Sequence, residues 1–156
     1  MAVEPHAIRE FLFRFVAEEA NPENRLGVDR VDFLYPAPIL GQGTVLIDTP
    51  GVGSTFQHNT AAALDVLPEC DAVPFIISAD PPITEAERDY LRHLRPRAAQ
   101  IFFILNKIDR LTSEERGSMV ALMRKALEAN GIWQPGGRIF SVSARKGLDA
   151  KHKGHP

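Results

Sequence analysis

The sequence predicts an α/β fold, a mostly parallel sheet with helices on both faces. Two continuously apolar runs, at residues 72–79 and 101–105, are each followed by a polar segment and then by an amphipathic stretch at helical spacing. Runs of that kind suit strands covered on both faces, and strands alternating with helices imply parallel neighbours. A chain of 156 residues, 44% apolar and 24% charged, is an ordinary globular composition with room for one domain.

The elements follow in order. Ile8, Phe11, Leu12, Phe15 and Val16 recur at helical spacing over residues 5–20, with Pro5 suited to a first turn and Asn21-Pro22 breaking the pattern. Val31, Phe33 and Tyr35 read as a strand halted by Pro36 and Pro38, and residues 43–48 read as a second strand, antiparallel to the first. Residues 59–67 form a weak helix pattern. After the apolar strand at 72–78, Thr84 and Glu87 have capping-box spacing, and Ala86, Tyr90, Leu91 and Leu94 form an inner stripe. Residues 101–105 form the next strand. Thr112 and Glu115 repeat the capping-box spacing before a helix faced by Met119, Leu122, Met123, Ala126 and Leu127, which ends at Asn130-Gly131. Residues 138–142 supply a last strand. The domain is expected to occupy residues 1–150, with 151–156 a frayed or appended polar tail.

Composition excludes several classes. Eighteen basic and 20 acidic residues leave a net charge of −2, without the Lys/Arg surplus that a nucleic-acid partner would need. The single cysteine, Cys70, cannot form an internal disulfide and points to a cytoplasmic setting. No apolar run approaches the roughly 20 residues of a membrane span, so any membrane contact is expected from regions outside this chain.

In parallel sheets, ligands sit beyond the carboxyl ends of the strands, and three of those ends carry polar signatures. Asp48-Thr49-Pro50-Gly51 places a carboxylate where it can hold a hydrated Mg²⁺ through water. Gly51 there lets a backbone N–H approach a phosphate oxygen. An Asp-initiated turn explains the same residues equally well. In Asn106-Lys107-Ile108-Asp109, the Asp109 carboxylate can accept from both N1–H and the exocyclic amine of guanine. Adenine offers neither donor there, and a site built for such donors rejects an analogue lacking them by roughly 10⁴-fold or more. Asn106 can tie neighbouring loops or accept from the base, and the Lys107 stem can lie along the base plane. At Ser143-Ala144-Arg145 a small residue lets a backbone N–H reach a base oxygen.

Together these segments resemble the P-loop GTPases: Asp48–Gly51 its D-x-x-G motif, Asn106–Asp109 its N-K-x-D motif, and Ser143-Ala144-Arg145 its S-A-K/R motif. Residues 46–111 look most like a bacterial dynamin-like GTPase. The cues are Asp48-Thr49-Pro50-Gly51, Glu69-Cys70-Asp71, Ile76-Ile77-Ser78-Ala79-Asp80 and Thr84-Glu85-Ala86-Glu87. The resemblance implies GTP or GDP and Mg²⁺ as ligands. It assigns the nucleotide to Gly51, Asn106, Lys107, Asp109, Ser143, Ala144 and Arg145, and the metal to Asp48.

One motif of that family is missing. No Gly-x-x-x-x-Gly-Lys-Ser/Thr occurs in the sequence, so the chain is expected to be a GTPase domain without its first strand, phosphate loop and following helix. About three charge-assisted hydrogen bonds at ~2 kcal/mol each would then be absent, which lowers nucleotide affinity by roughly 10⁴-fold. The intact parent is expected to hydrolyse GTP and this chain alone to bind it poorly. The missing strand would lie between residues 43–48 and 73–78. Its absence is expected to be repaired by direct pairing of those two strands, by another segment, or by self-association through the unpaired edges.

The remaining residues carry less. Ser54, Thr55 and Gln57 fall in the region expected to sense a γ-phosphate and none is assigned as a catalyst, while His58, which could face a γ-phosphate or a water, reads better as a solvated switch-loop residue. Arg88, Arg92, Arg95 and Arg97 are offset by Glu85, Glu87 and Asp89 and read as a solvated helix face. Two other readings stand beside the dynamin-like one. One is a GTPase of the ribosome-assembly or tRNA-modification kind, and the other is a non-catalytic scaffold that keeps the fold without binding nucleotide.

Overall fold

The computed structural model describes residues 5–49, 63–79, 83–133 and 136–154. The chain divides into two units, Met1–Thr49 and Pro50–Pro156.

In the N-terminal unit, α1 spans Pro5–Val16, four residues short of the pattern read from the sequence. What ends it is Asn21, which is 5% exposed. Its Nδ2 donates to the Phe15 carbonyl (2.8 Å) and its Oδ1 accepts from the Leu26 N–H (2.9 Å). These bonds satisfy backbone groups that a helix end leaves orphaned, and they fold the chain back through the 3₁₀ turn Pro22–Asn24. Phe11 packs on Phe15 with ring centroids 4.6 Å apart, and on Phe33 at 6.3 Å.

The two strands expected at 31–35 and 43–48 are not formed. Residues 28–37 and 44–49 have no regular structure, and the connection is the 3₁₀ segment Pro38–Gly43. Val45, Leu46 and Ile47 are 77%, 68% and 46% exposed. Strand-like composition needs a ladder partner to become a strand. The link here turns through Pro38, Gln42 (φ 62°) and Gly43 (φ 83°) rather than through a hairpin turn.

The C-terminal unit carries the sheet. β1 (Val73–Ser78), β2 (Ile101–Asn106) and β3 (Ile139–Ser141) lie in that spatial order. Both pairings are parallel, with Val73 opposite Ile101 and Phe103 opposite Ile139. Crossovers are made by α2 (Glu85–Leu94) and α3 (Ser113–Ala129), and α4 (Ala144–His152) follows β3. This is the parallel α/β architecture that the alternation predicts. α4 continues through Lys151 and His152, residues read from the sequence as tail.

Both capping boxes form as their spacing requires. Thr84 N–H donates to Glu87 Oε2 (2.6 Å) and Glu87 N–H to Thr84 Oγ1 (3.2 Å). Thr112 and Glu115 repeat this at 2.7 and 3.3 Å. The end of α3 is a Schellman cap: Gly131, at φ +66°, donates to the Glu128 carbonyl (3.0 Å) and Ile132 to that of Leu127 (2.9 Å). Only a residue tolerant of the left-handed region serves at that glycine.

The core lies on one face of the sheet. Phe75 and Ile77 from β1 and Phe103 and Leu105 from β2 are buried with Tyr90, Leu91 and Leu94 of α2 and Met123 and Leu127 of α3. Burial of each large aliphatic side chain contributes about 1.5–3 kcal/mol. Ala86 and Leu122, expected on the inner faces of their helices, are exposed instead. The apolar strands expected to be covered on both faces are covered on this one. On the other, Ile76, Phe102 and Phe140 remain 58%, 37% and 43% exposed.

Among the described residues the strand paired with β1 is β2. Val73 donates to Gln100 and Ala79 to Asn106 (2.8 and 3.0 Å), so the alternate residues Pro74, Ile76 and Ser78 direct their backbone groups to the other edge. Pro74 therefore sits where its missing N–H costs no bond to β2. Residues 43–48 form no strand, and β2 is the strand paired with β1 among the described residues.

Candidate functional site

Three sequence positions come together at the carboxyl ends of β2 and β3. β2 ends at Asn106, a 3₁₀ turn over Ile108–Arg110 follows, and Ser143 caps α4. Backbone bonds hold the two loops side by side, with Val142 N–H on the Leu105 carbonyl (2.8 Å) and Ile108 N–H on that of Val142 (3.3 Å).

Side chains then lock the pair. Asn106 Oδ1 accepts from the N–H of Lys107 (2.8 Å) and, 38 positions away in the chain, from that of Ala144 (3.1 Å). Ser143 Oγ donates to Asp109 Oδ1 at 2.6 Å while accepting from the Lys146 N–H at 3.2 Å. Asn106 thus ties neighbouring loops, one of the two roles read for it. The Ala144 N–H, expected to be open to a base oxygen, is instead engaged by Asn106.

The Ser143 hydroxyl holds the Asp109 carboxyl below the ordinary Asp range. Partial desolvation opposes it, and the Asp109 backbone N–H and the cations of Lys146 and Arg145 add to it. The carboxylate is therefore an ionised acceptor at neutral pH. Lys107 is the turn's strained point, at φ 65° and ψ 28°. A non-glycine residue in the left-handed region costs about 1 kcal/mol, and here it sends the chain sharply out of the strand, leaving the lysine side chain exposed.

Arg145 is exposed on the first turn of α4. Asp48 belongs to the N-terminal unit, where it is exposed on irregular backbone. Gly51, Ser54, Thr55, Gln57 and His58 lie outside the described residues. Six of the eight predicted site residues thus stand on two adjoining segments, the end of β2 with its following turn and the start of α4. Sequence reasoning missed the part of Lys146. Its signal was available, since a basic residue three positions after a helix-capping serine faces the loop that the serine binds.

A parallel α/β sheet with an Asn-Lys-x-Asp turn joined to a Ser-Ala turn at neighbouring strand ends defines the class of P-loop GTPases. Within it, the model of the Dynamin family matches residues 12–108, and the chain belongs to that family. It is similar to a protein described only as uncharacterized in the xynA 3′ region of Caldicellulosiruptor sp., 36% identical over 138 residues that cover 88% of this chain and 34% of that protein. The probable transmembrane GTPase FZO-like, chloroplastic, of Arabidopsis thaliana is 33% identical over 121 residues (74% of this chain, 13% of that one). Dynamin-like protein A of Bacillus subtilis is 25% identical over 143 residues (88% and 12%). The chain thus spans about a third or less of the length of each of these relatives.

Proposed function

We propose that this chain is the guanine-reading part of a dynamin-family GTPase domain, and that by itself it binds GTP and GDP weakly. The observation that carries the reading is the knot of Asn106, Asp109, Ser143 and Ala144, which pre-positions an ionised carboxylate with one oxygen fixed by Ser143. In this proposal Asp109 accepts from guanine N1–H and the exocyclic amine, and the Lys107 stem lies along the base. The Ala144 N–H exchanges Asn106 for the base oxygen, and Arg145 flanks the base from the first turn of α4.

Asp48 is proposed to hold Mg²⁺ through water, with Gly51 donating to a terminal phosphate. An exposed carboxylate suits that ion, which keeps several waters and takes its other ligands from phosphates. Bound there, Mg²⁺ would neutralise phosphate charge. The sequence has no Gly-x-x-x-x-Gly-Lys-Ser/Thr, so phosphate contacts are few and affinity is low. GTP hydrolysis belongs, in this reading, to a protein that also carries such a loop. Among the described residues no helix is long and apolar enough to cross a membrane. Membrane contact is assigned to other regions, and the chain itself to the cytoplasm.

Thermal-shift titration with GTP, GDP and ATP, each with and without Mg²⁺, tests the reading. Guanine nucleotides are expected to raise the midpoint at millimolar concentration and ATP to leave it unchanged. Asp109→Ala is expected to abolish the difference. No response to any nucleotide would favour a scaffold that keeps the fold without the ligand.

A further inference from the structure

A cavity of about 250 Å³ lies where β2 and β3 begin, at the opposite ends of those strands from Asn106 and Ser143. Its lining includes the apolar Ala98 and Ile132, the aromatic Phe102 and Phe140, and the cationic Arg95 and Arg138. No acidic residue lines it.

The two arginines set its chemistry. Around them the helix-face arginines are engaged: Arg88 with the Ile83 carbonyl, Arg92 with Asp89 and Asn130, Arg97 with the His93 carbonyl. Arg95 and Arg138 have no side-chain partner among the described residues. Two arginines without an acidic partner, lining the same cavity as an exposed aromatic pair whose rings are 6.3 Å apart, fit an anion joined to an apolar group.

Size and surroundings select the source of that anion. The volume lies below the ~300–1,000 Å³ of small-molecule sites and suits one or two side chains. Beside it, β3 is an edge strand. Val142 donates to Leu105, so by alternation Ile139 and Ser141 turn their backbone groups outward, where no described strand meets them. An extended chain can pair at such an edge while alternate side chains enter a neighbouring pocket. We propose that this cavity docks an extended acidic segment of a partner polypeptide. A large apolar side chain rests on Phe102 and Phe140, and a carboxylate two positions along meets Arg95 and Arg138. The proposal is independent of the nucleotide reading.

The test is fluorescence anisotropy of the 156-residue chain with a labelled peptide of sequence Ser-Phe-Ser-Glu-Ser, which sets Phe and Glu on one face of a strand. Saturable binding is expected, weakened by salt and by Lys in place of Glu. Arg95→Glu and Arg138→Glu are each expected to cost about tenfold, since an attractive contact becomes a repulsive one. Arg95→Gln and Arg138→Gln should fall between, and circular dichroism verifies that each variant is folded. The proposal is overturned if the Lys peptide binds equally well, if the charge-reversed variants bind normally, or if no peptide binds at millimolar concentration. It is equally overturned if free 3-phenylpropionate binds as tightly as the peptide, since the occupant would then be a small anion.

Discussion

Ser143 Oγ donates to Asp109 Oδ1 at 2.6 Å across 34 positions of sequence, and the same oxygen caps α4 by accepting from Lys146 N–H. One hydroxyl therefore serves both a helix end and the carboxylate that the functional reading depends on. Ser143→Ala is expected to lower stability by about 1 kcal/mol through loss of the cap and to let the Asp109 carboxyl titrate at higher pH. Because the folded-state value lies below the unfolded one, the link stabilises the fold above the ordinary Asp range. That contribution is lost as pH falls through the lowered value. Side-chain carbon NMR of Asp109 in both proteins checks this, and identical titrations would remove Ser143 as the main cause.

The core and the exposed face of α3 separate cleanly in energy. Leu91→Ala removes a fully buried side chain and is expected to cost about 2–5 kcal/mol. Leu122→Ala, at a position 50% exposed, should stay within about 0.5 kcal/mol. Denaturant titration of the two variants makes the comparison.

Lys107 offers a way to part stability from binding. Lys107→Gly relieves the left-handed backbone and is expected to leave the melting temperature equal or higher, by up to about 1 kcal/mol in stability. Guanine-nucleotide binding should weaken as the stem is lost. A variant that melts lower and binds normally would reverse both assignments.

Much of this was legible in the chain. Thr84/Glu87, Thr112/Glu115 and Gly131 announce helix ends through local hydrogen bonds, and local bonds are what sequence spacing reports. Asn106, Asp109 and Ser143 could be placed at strand ends because β2 and β3 are read from their own apolar content. Residues 31–35 and 43–48 fail for the opposite reason. Val45, Leu46 and Ile47 have strand composition, but a strand is a property of two backbones, and composition does not supply the second. Ile76 and Phe102 show the same limit in the sheet. Their apolarity marks a face that can be covered, and what covers it lies outside the strand's own sequence.

That open face carries a prediction of its own. Ile76, Phe102 and Phe140 are exposed on the face of the sheet away from the core, and exposed apolar side chains sharing one face favour association between copies. Sedimentation velocity is expected to show concentration-dependent self-association of the chain, reduced by Ile76→Ser together with Phe140→Ser. A monomer at every concentration would count against pairing between copies.

The most direct test of base recognition is a ¹⁵N-NMR titration of the chain with GDP and, separately, ADP. GDP is expected to shift the amides of Asn106, Lys107, Asp109, Ser143 and Ala144, while ADP at the same concentration moves none of them. Equal shifts with both nucleotides, or GDP shifts confined to residues elsewhere in the chain, would contradict the assignment of Asp109 as the group that reads guanine.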